Sequence, residues 1–103
     1  MNNLIEIQEA RARQVTVNDE TLTVELVDGR KISAPLAWYP RLWYSSPEER
    51  SRFKIISDGE IIHWPDLDED LSVSGILAGR RSGESPASLK KWLASRSTDR
   101  GDW

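Results

Sequence analysis

At 103 residues, with 38% hydrophobic and 30% charged side chains, the chain has room for one domain with a modest core and a well-solvated surface. It has no cysteine and one histidine, His63, which excludes disulfides, zinc–thiolate and iron–sulfur centres, thiol nucleophiles and any multi-histidine metal site within a single chain. The net charge of −3 divides unevenly: residues 1–78 hold 8 Lys/Arg against 14 Asp/Glu, whereas residues 79–103 hold 6 against 3, so an acidic body precedes a basic tail.

Met1–Glu9 contains Leu4, Ile5 and Ile7 among polar residues, a pattern that fits an arm or an added strand equally. It lacks the basic start and apolar middle of a signal peptide, and no apolar run in the chain reaches the roughly 18 residues of a membrane span. The expected compartment is therefore the cytoplasm, with no membrane partner. From Arg13 to Val17 and from Thr21 to Leu26, hydrophobic and polar residues alternate as in half-buried strands. Asn18-Asp19-Glu20 supplies the first turn, and Asp28-Gly29 the tight hairpin into a third strand, Arg30–Ala34. A three-stranded meander is expected.

Leu36–Tyr44 carries two Trp and two Tyr, and its local structure is ambiguous. Ser46-Pro47-Glu48-Glu49 is a helix start, with Ser46 as cap, Pro47 in the first turn and Glu49 reaching back, so a helix should run from Pro47 to about Arg52. Phe53–Ser57 and Glu60–Trp64 then read as a second hairpin around Asp58-Gly59, giving a single five-stranded, mainly antiparallel sheet in an α+β domain. Pro65 ends the last strand, and the acids Asp66, Asp68, Glu69 and Asp70 are expected to leave the sheet. Ser72, Val73, Ile76 and Leu77 have helical spacing, with Gly79 as the stop. Arg80–Glu84 reads as an exposed linker. Ser85-Pro86 starts a last amphipathic helix with Leu89, Trp92 and Leu93 on one face, and Thr98–Trp103 reads as a loose end. The resulting plan is an arm (1–12), a compact domain (13–79), and a linker, helix and basic tail (80–103).

Four groups of residues carry chemistry. Asp66, Asp68 and Asp70 have the spacing that opens an EF-hand loop, but Leu71 stands where the turn requires Gly, and Leu77 stands where a bidentate Glu is needed. Asp68 and Asp70 are better read as capping or dipole-favoured residues before the Ser72 helix. His63 is adjacent to acids but has no recognisable nucleophile, so it is better read as a structural histidine bonded to a carboxylate or backbone group. Trp38, Tyr39, Arg41 and Trp43 have the composition of a protein-binding patch, with the core as the competing use of the rings; His63, Trp64, Asp66, Asp68 and Asp70 extend the candidate surface. Arg80, Arg81, Lys90 and Lys91 form the candidate contact to nucleic acid or an acidic partner.

Asp28-Gly29-Arg30, Pro35-Leu36-Ala37-Trp38-Tyr39-Pro40-Arg41-Leu42, Pro47-Glu48-Glu49-Arg50 and Ile62-His63-Trp64-Pro65 with Leu67-Asp68-Glu69-Asp70 occur in an order that resembles the small bacterial family catalogued as domain of unknown function 2442. The resemblance covers about Val15 to Gly79. It implies a compact α+β domain with no established catalytic residues and no cofactor. It also implies an antitoxin-like, non-enzymatic protein paired with a small neighbouring-gene product of the domain of unknown function 4160 kind. Family members fused to a helix-turn-helix unit imply the alternative, a DNA-associated regulator component. After Gly79 this chain has room for only one helix, short of the two that such a unit needs. A homodimer is a further expectation, and a small enzyme centred on His63 is the last alternative.

Overall fold

A computed structural model describes residues 10–100 of the chain. Strands β1 (Ala12–Val17), β2 (Thr21–Leu26) and β3 (Lys31–Pro35) form one antiparallel sheet in sequence order. The turn residues act as their chemistry dictates. Asn18 Oδ1 accepts the N–H groups of Glu20 and Thr21, both at 2.8 Å, while Asp28 Oδ1 accepts that of Arg30 at 3.1 Å ahead of the strand return. Gly29, at φ +94°, takes the left-handed position that this tight connection needs. On β2 the alternation is complete: Leu22, Val24 and Leu26 are buried, with Thr21, Thr23 and Glu25 between them partly exposed. A register shift between Ala12 and Gln14 lets Ala12 and Val15, three residues apart, face the same core.

Leaving β3, the chain makes a 3-10 turn at Leu36–Trp38, then two short helices, α1 (Pro40–Trp43) and α2 (Pro47–Ser51). The ambiguity of the aromatic stretch resolves through spacing: Leu36, Tyr39 and Leu42 are buried, while Trp43 and Tyr44 face solvent. The capping box expected at Ser46 is present in both directions. Ser46 Oγ accepts the Glu49 N–H at 3.2 Å, and Glu49 Oε1 accepts the Ser46 N–H at 2.9 Å.

A second sheet follows, formed by β4 (Lys54–Ile56), β5 (Ile61–Trp64) and β6 (Glu69–Ser72), all antiparallel and again in sequence order. Here the structure corrects the expected single five-stranded sheet: the described residues form two sheets of three strands each. The sixth strand is the acidic segment itself. Pro65 does end β5, but a 3-10 turn at Pro65–Leu67 and a left-handed Asp68 (φ +51°) return the chain antiparallel, pairing His63 with Asp70 and Trp64 with Glu69. Asp68 and Asp70 therefore do not cap the next helix. That role belongs to Ser72, whose hydroxyl accepts the Gly75 N–H at 3.0 Å at the start of α3 (Val73–Leu77).

The two sheets share one core, which joins Ile62 and Trp64 of the second, and Leu67 and Val73 from the turn and helix beside it, with Leu22, Val24 and Leu26 of the first and with Leu36, Tyr39 and Leu42. The turn between β4 and β5 is fitted closely against β1. Gly59 lies at φ +88°, and a Cβ there would meet the Arg11 Cβ at 3.0 Å and the Ala12 carbonyl oxygen at 3.2 Å. Gly59→Ala is therefore expected to destabilise the fold by about 1–3 kcal/mol, read as a lower urea midpoint. A neutral result would mean that the turn can move away from β1.

The final helix, α4 (Pro86–Arg100), begins after Ser85, whose hydroxyl accepts the Ser88 N–H at 3.1 Å. It continues to Arg100, three residues into the stretch expected to be a loose end; residues 101–103 and the arm residues 1–9 lie outside the described residues. Among the described residues no helix is long and apolar enough to cross a membrane.

Candidate functional site

Of the residues singled out for chemistry, Tyr39, Asp68, Asp70, Arg80 and Arg81 lie with Arg41 around one groove. Arg41 follows Pro40 at the start of α1, and its side chain is 17% exposed. Its Nη1 donates to the carbonyl oxygens of Leu67 and Asp68, both at 3.1 Å, which the 3-10 turn after Trp64 presents side by side. Its Nε and Nη2 donate to the Glu84 carboxylate at 2.6–3.0 Å. This two-pronged pairing suits the planar guanidinium fork. It raises the Arg41 pKa and, with the Ser88 hydroxyl also donating, holds the Glu84 carboxyl below its usual value.

The presumed linker is thus a docked strap. Arg81 stacks over the Trp38 ring at 4.6 Å, the Ser82 N–H donates to the Trp38 carbonyl at 3.1 Å, and the Tyr39 hydroxyl donates to the Arg80 carbonyl at 3.4 Å. Burial raises the Tyr39 pKa. Trp92 on α4 lies between two guanidinium groups, Arg41 at 5.1 Å and Arg96 at 4.5 Å. Arg96 in turn donates to both oxygens of Glu49, at 2.8 and 3.0 Å. That bond, the largest cause, holds the Glu49 carboxyl down at about 2.

Between the strap and β6 lies a groove of about 520 Å³, lined in part by Arg41, Asp68, Glu69, Asp70, Arg80 and Glu84. Burial raises the Glu69 pKa against the opposing pull of Arg41. His63 is not among its lining residues, and its Nδ1 hydrogen-bonds the Asp70 carboxylate across the β5–β6 ladder. Among the described residues no serine or threonine hydroxyl bonds to this pair. The three aspartates diverge: Asp66 accepts from Arg52 at 2.7 Å, Asp70 bonds His63, and the Asp68 side chain is 97% exposed.

Of the candidate partner-binding residues, Tyr39 and Trp64 are core, at 2% and 0% exposure; for Tyr39 this is the competing use left open above, and for Trp64 it corrects a place on the candidate surface. Ring size suited them equally to either place, and the register of β5 with the spacing of α1 turned them inward. Trp38 and Arg41 are partly buried under the strap, whereas Trp43 is open at 43%. Arg80, Arg81, Lys90 and Lys91 are exposed, with Arg81 engaged on Trp38. Sequence reasoning assigned no role to Arg50 or Glu84, and to Glu49 only its capping role. Arg50 is buried, donating to the carbonyls of Leu42 (3.1 Å) and Trp43 (3.2 Å), to Ser45 Oγ (3.3 Å) and to Asp19 (3.0 Å). Nothing in Glu48-Glu49-Arg50-Ser51-Arg52 separates it from exposed Arg52.

Two antiparallel meanders closed by short helices, with a polar strap and no metal-binding cluster among the described residues, define a small α+β domain built around packing and ion pairs. The chain belongs to the family described as "Protein of unknown function (DUF2442)", whose model matches residues 12–82. The crystal structure of a protein of unknown function from Rhodospirillum rubrum ATCC 11170 is similar, with 26% identity and a TM-score of 0.65 over 79% of this chain and 98% of that one. The solution structure of an uncharacterised protein from Chromobacterium violaceum shares the fold at 22% identity, with a TM-score of 0.63 over 91% of this chain and 83% of that one. No curated protein matches the chain.

Proposed function

We propose that the protein is a non-enzymatic binding module of the cytoplasm, an antitoxin-like partner of a small protein encoded by a neighbouring gene. The observation that carries this reading is the pair Trp43 and Tyr44, adjacent at the end of α1 and 43% and 54% exposed, while Tyr39 and Leu42 beside them complete the core. Exposed aromatic rings present large amphipathic area at little entropic cost, the recurring property of interface hot spots. The acidic balance of residues 1–78 suits a basic partner and would speed encounter more than it adds affinity. The test is co-expression with the neighbouring gene product, with co-purification and rescue of growth as expected results. Trp43→Ala and Tyr44→Ala should each weaken that complex by more than about 1 kcal/mol while changing fold stability by about 0.5 kcal/mol or less. Absence of a complex at micromolar concentrations would overturn the reading.

The second reading, a DNA-associated regulator component, draws on the exposed Arg80, Lys90 and Lys91 of the C-terminal segment. It requires binding to the gene's own promoter that weakens steeply as salt rises. Binding that ignores salt would reject it.

A further inference from the structure

The family match ends at residue 82, before α4 begins, yet α4 is seated on the matched domain. The seat is mostly polar. Of the apolar residues on α4 only Trp92 packs against the core, and Leu89 and Leu93 stay half-buried outside it. Among the described residues, the strap and helix are also held by the Arg41–Glu84 and Glu49–Arg96 ion pairs and by the guanidinium groups of Arg41 and Arg96 over Trp92. Such a contact resembles a separable protein–protein interface more than a core.

The domain side of the contact, by contrast, is fixed without α4. Arg41 is anchored by the Leu67 and Asp68 carbonyls, and Glu49 by the Ser46 N–H of its capping box. The connection between the two parts includes Gly83, which has open space around it. A rigid receptor face thus holds a ligand tethered through an uncrowded joint.

We propose that the face bearing Trp38, Arg41 and Glu49 is a helix-binding surface, that segment 81–96 is its resident internal ligand, and that it takes an external partner of the same chemistry. That partner is an amphipathic helix carrying an aromatic ring and an arginine spaced as Trp92 and Arg96 are, preceded by a non-helical segment with an acid placed as Glu84 is. The acid pairs with Arg41, the ring enters between Arg41 and the arginine, and the arginine pairs with Glu49. While segment 81–96 is seated the surface is closed, because a tethered ligand competes at an effective concentration on the order of millimolar. The proposal uses residues apart from Trp43 and Tyr44, so it and the binding reading above can fail separately.

The experiment uses the full chain and a fluorescein-labelled synthetic peptide of residues 80–96, read by fluorescence polarisation. Wild type should bind the peptide weakly. A full-length variant carrying Glu84→Ala and Arg96→Ala, whose own segment is released, should bind it at least about tenfold more tightly, with the peptide raising its melting temperature. A peptide bearing the same two substitutions should lose that gain, and adding Arg41→Ala to the variant should abolish it. If the double variant does not fold by circular dichroism, the conservative Glu84→Gln chain is measured in its place and judged by the same tenfold criterion. A folded variant that binds the peptide no more tightly than wild type, or equally well without Arg41, overturns the proposal.

Discussion

Replacing Trp64 with alanine is expected to cost about 3–5 kcal/mol, a large share of the roughly 5–15 kcal/mol that keeps a domain of this size folded. The ring has 0% exposure and packs tilted against Phe53 with centroids 6.1 Å apart. Its Nε1–H donates to the Arg50 carbonyl at 3.0 Å, and the Arg50 side chain in turn binds the carbonyls that end α1. The damage should therefore spread from β5 into the aromatic segment. Trp64→Phe separates the two contributions: it keeps most of the apolar area but leaves a buried carbonyl without its donor, for about 1–3 kcal/mol. Urea unfolding measures both, as a shifted midpoint at constant slope. A loss under about 1 kcal/mol for the alanine variant would show that the ring is not part of the core.

Acid should loosen the docking of the last helix before it unfolds the sheets. The Glu49 carboxyl sits at about 2, chiefly through its hydrogen bonds from Arg96, against an ordinary 4.5, and its side chain is 13% exposed. Because the folded-state value is the lower one, the stabilisation is fully present above pH 4.5 and is lost as pH falls toward 2. The difference corresponds to roughly 3 kcal/mol. Arg96→Ala should raise the Glu49 pKa toward its ordinary value, lower stability at pH 7 and flatten the acid limb of the stability curve. A carboxyl titration followed by NMR, together with urea midpoints between pH 2 and 7, tests this; an unmoved Glu49 titration would sink it. Glu69 acts in the opposite sense. Its raised folded-state pKa makes its contribution greatest below pH 4.5, and that contribution is lost as pH rises through the folded value.

The first sheet was legible because each signal there is local and unopposed. The Val24-Glu25-Leu26 alternation, the Asn18 and Asp28 turns and the Ser46 capping box act within a few residues. The β6 strand was hidden because Asp68, Glu69 and Asp70 have poor strand propensity, and the ladder with β5 overrode it. Pairing His63 with Asp70 across the turn was the available clue, since side chains that can hydrogen-bond suit directly facing positions. The site was legible in composition and not in geometry. Arg41 and Trp38 have the composition of a partner-binding patch, and in the structure both contact the chain's own strap. That closure depends on Glu84 and Arg96, more than forty residues away in sequence.

Every ladder in both sheets joins strands that are consecutive in the chain, across connections of three or four residues. Among the described residues no strand waits for a remote partner, so the loop entropy to be overcome before each pairing is small and the topology favours rapid folding. The step expected to be slower is the docking of the two meanders, whose Leu22, Val24, Ile62 and Trp64 lie in one shared core.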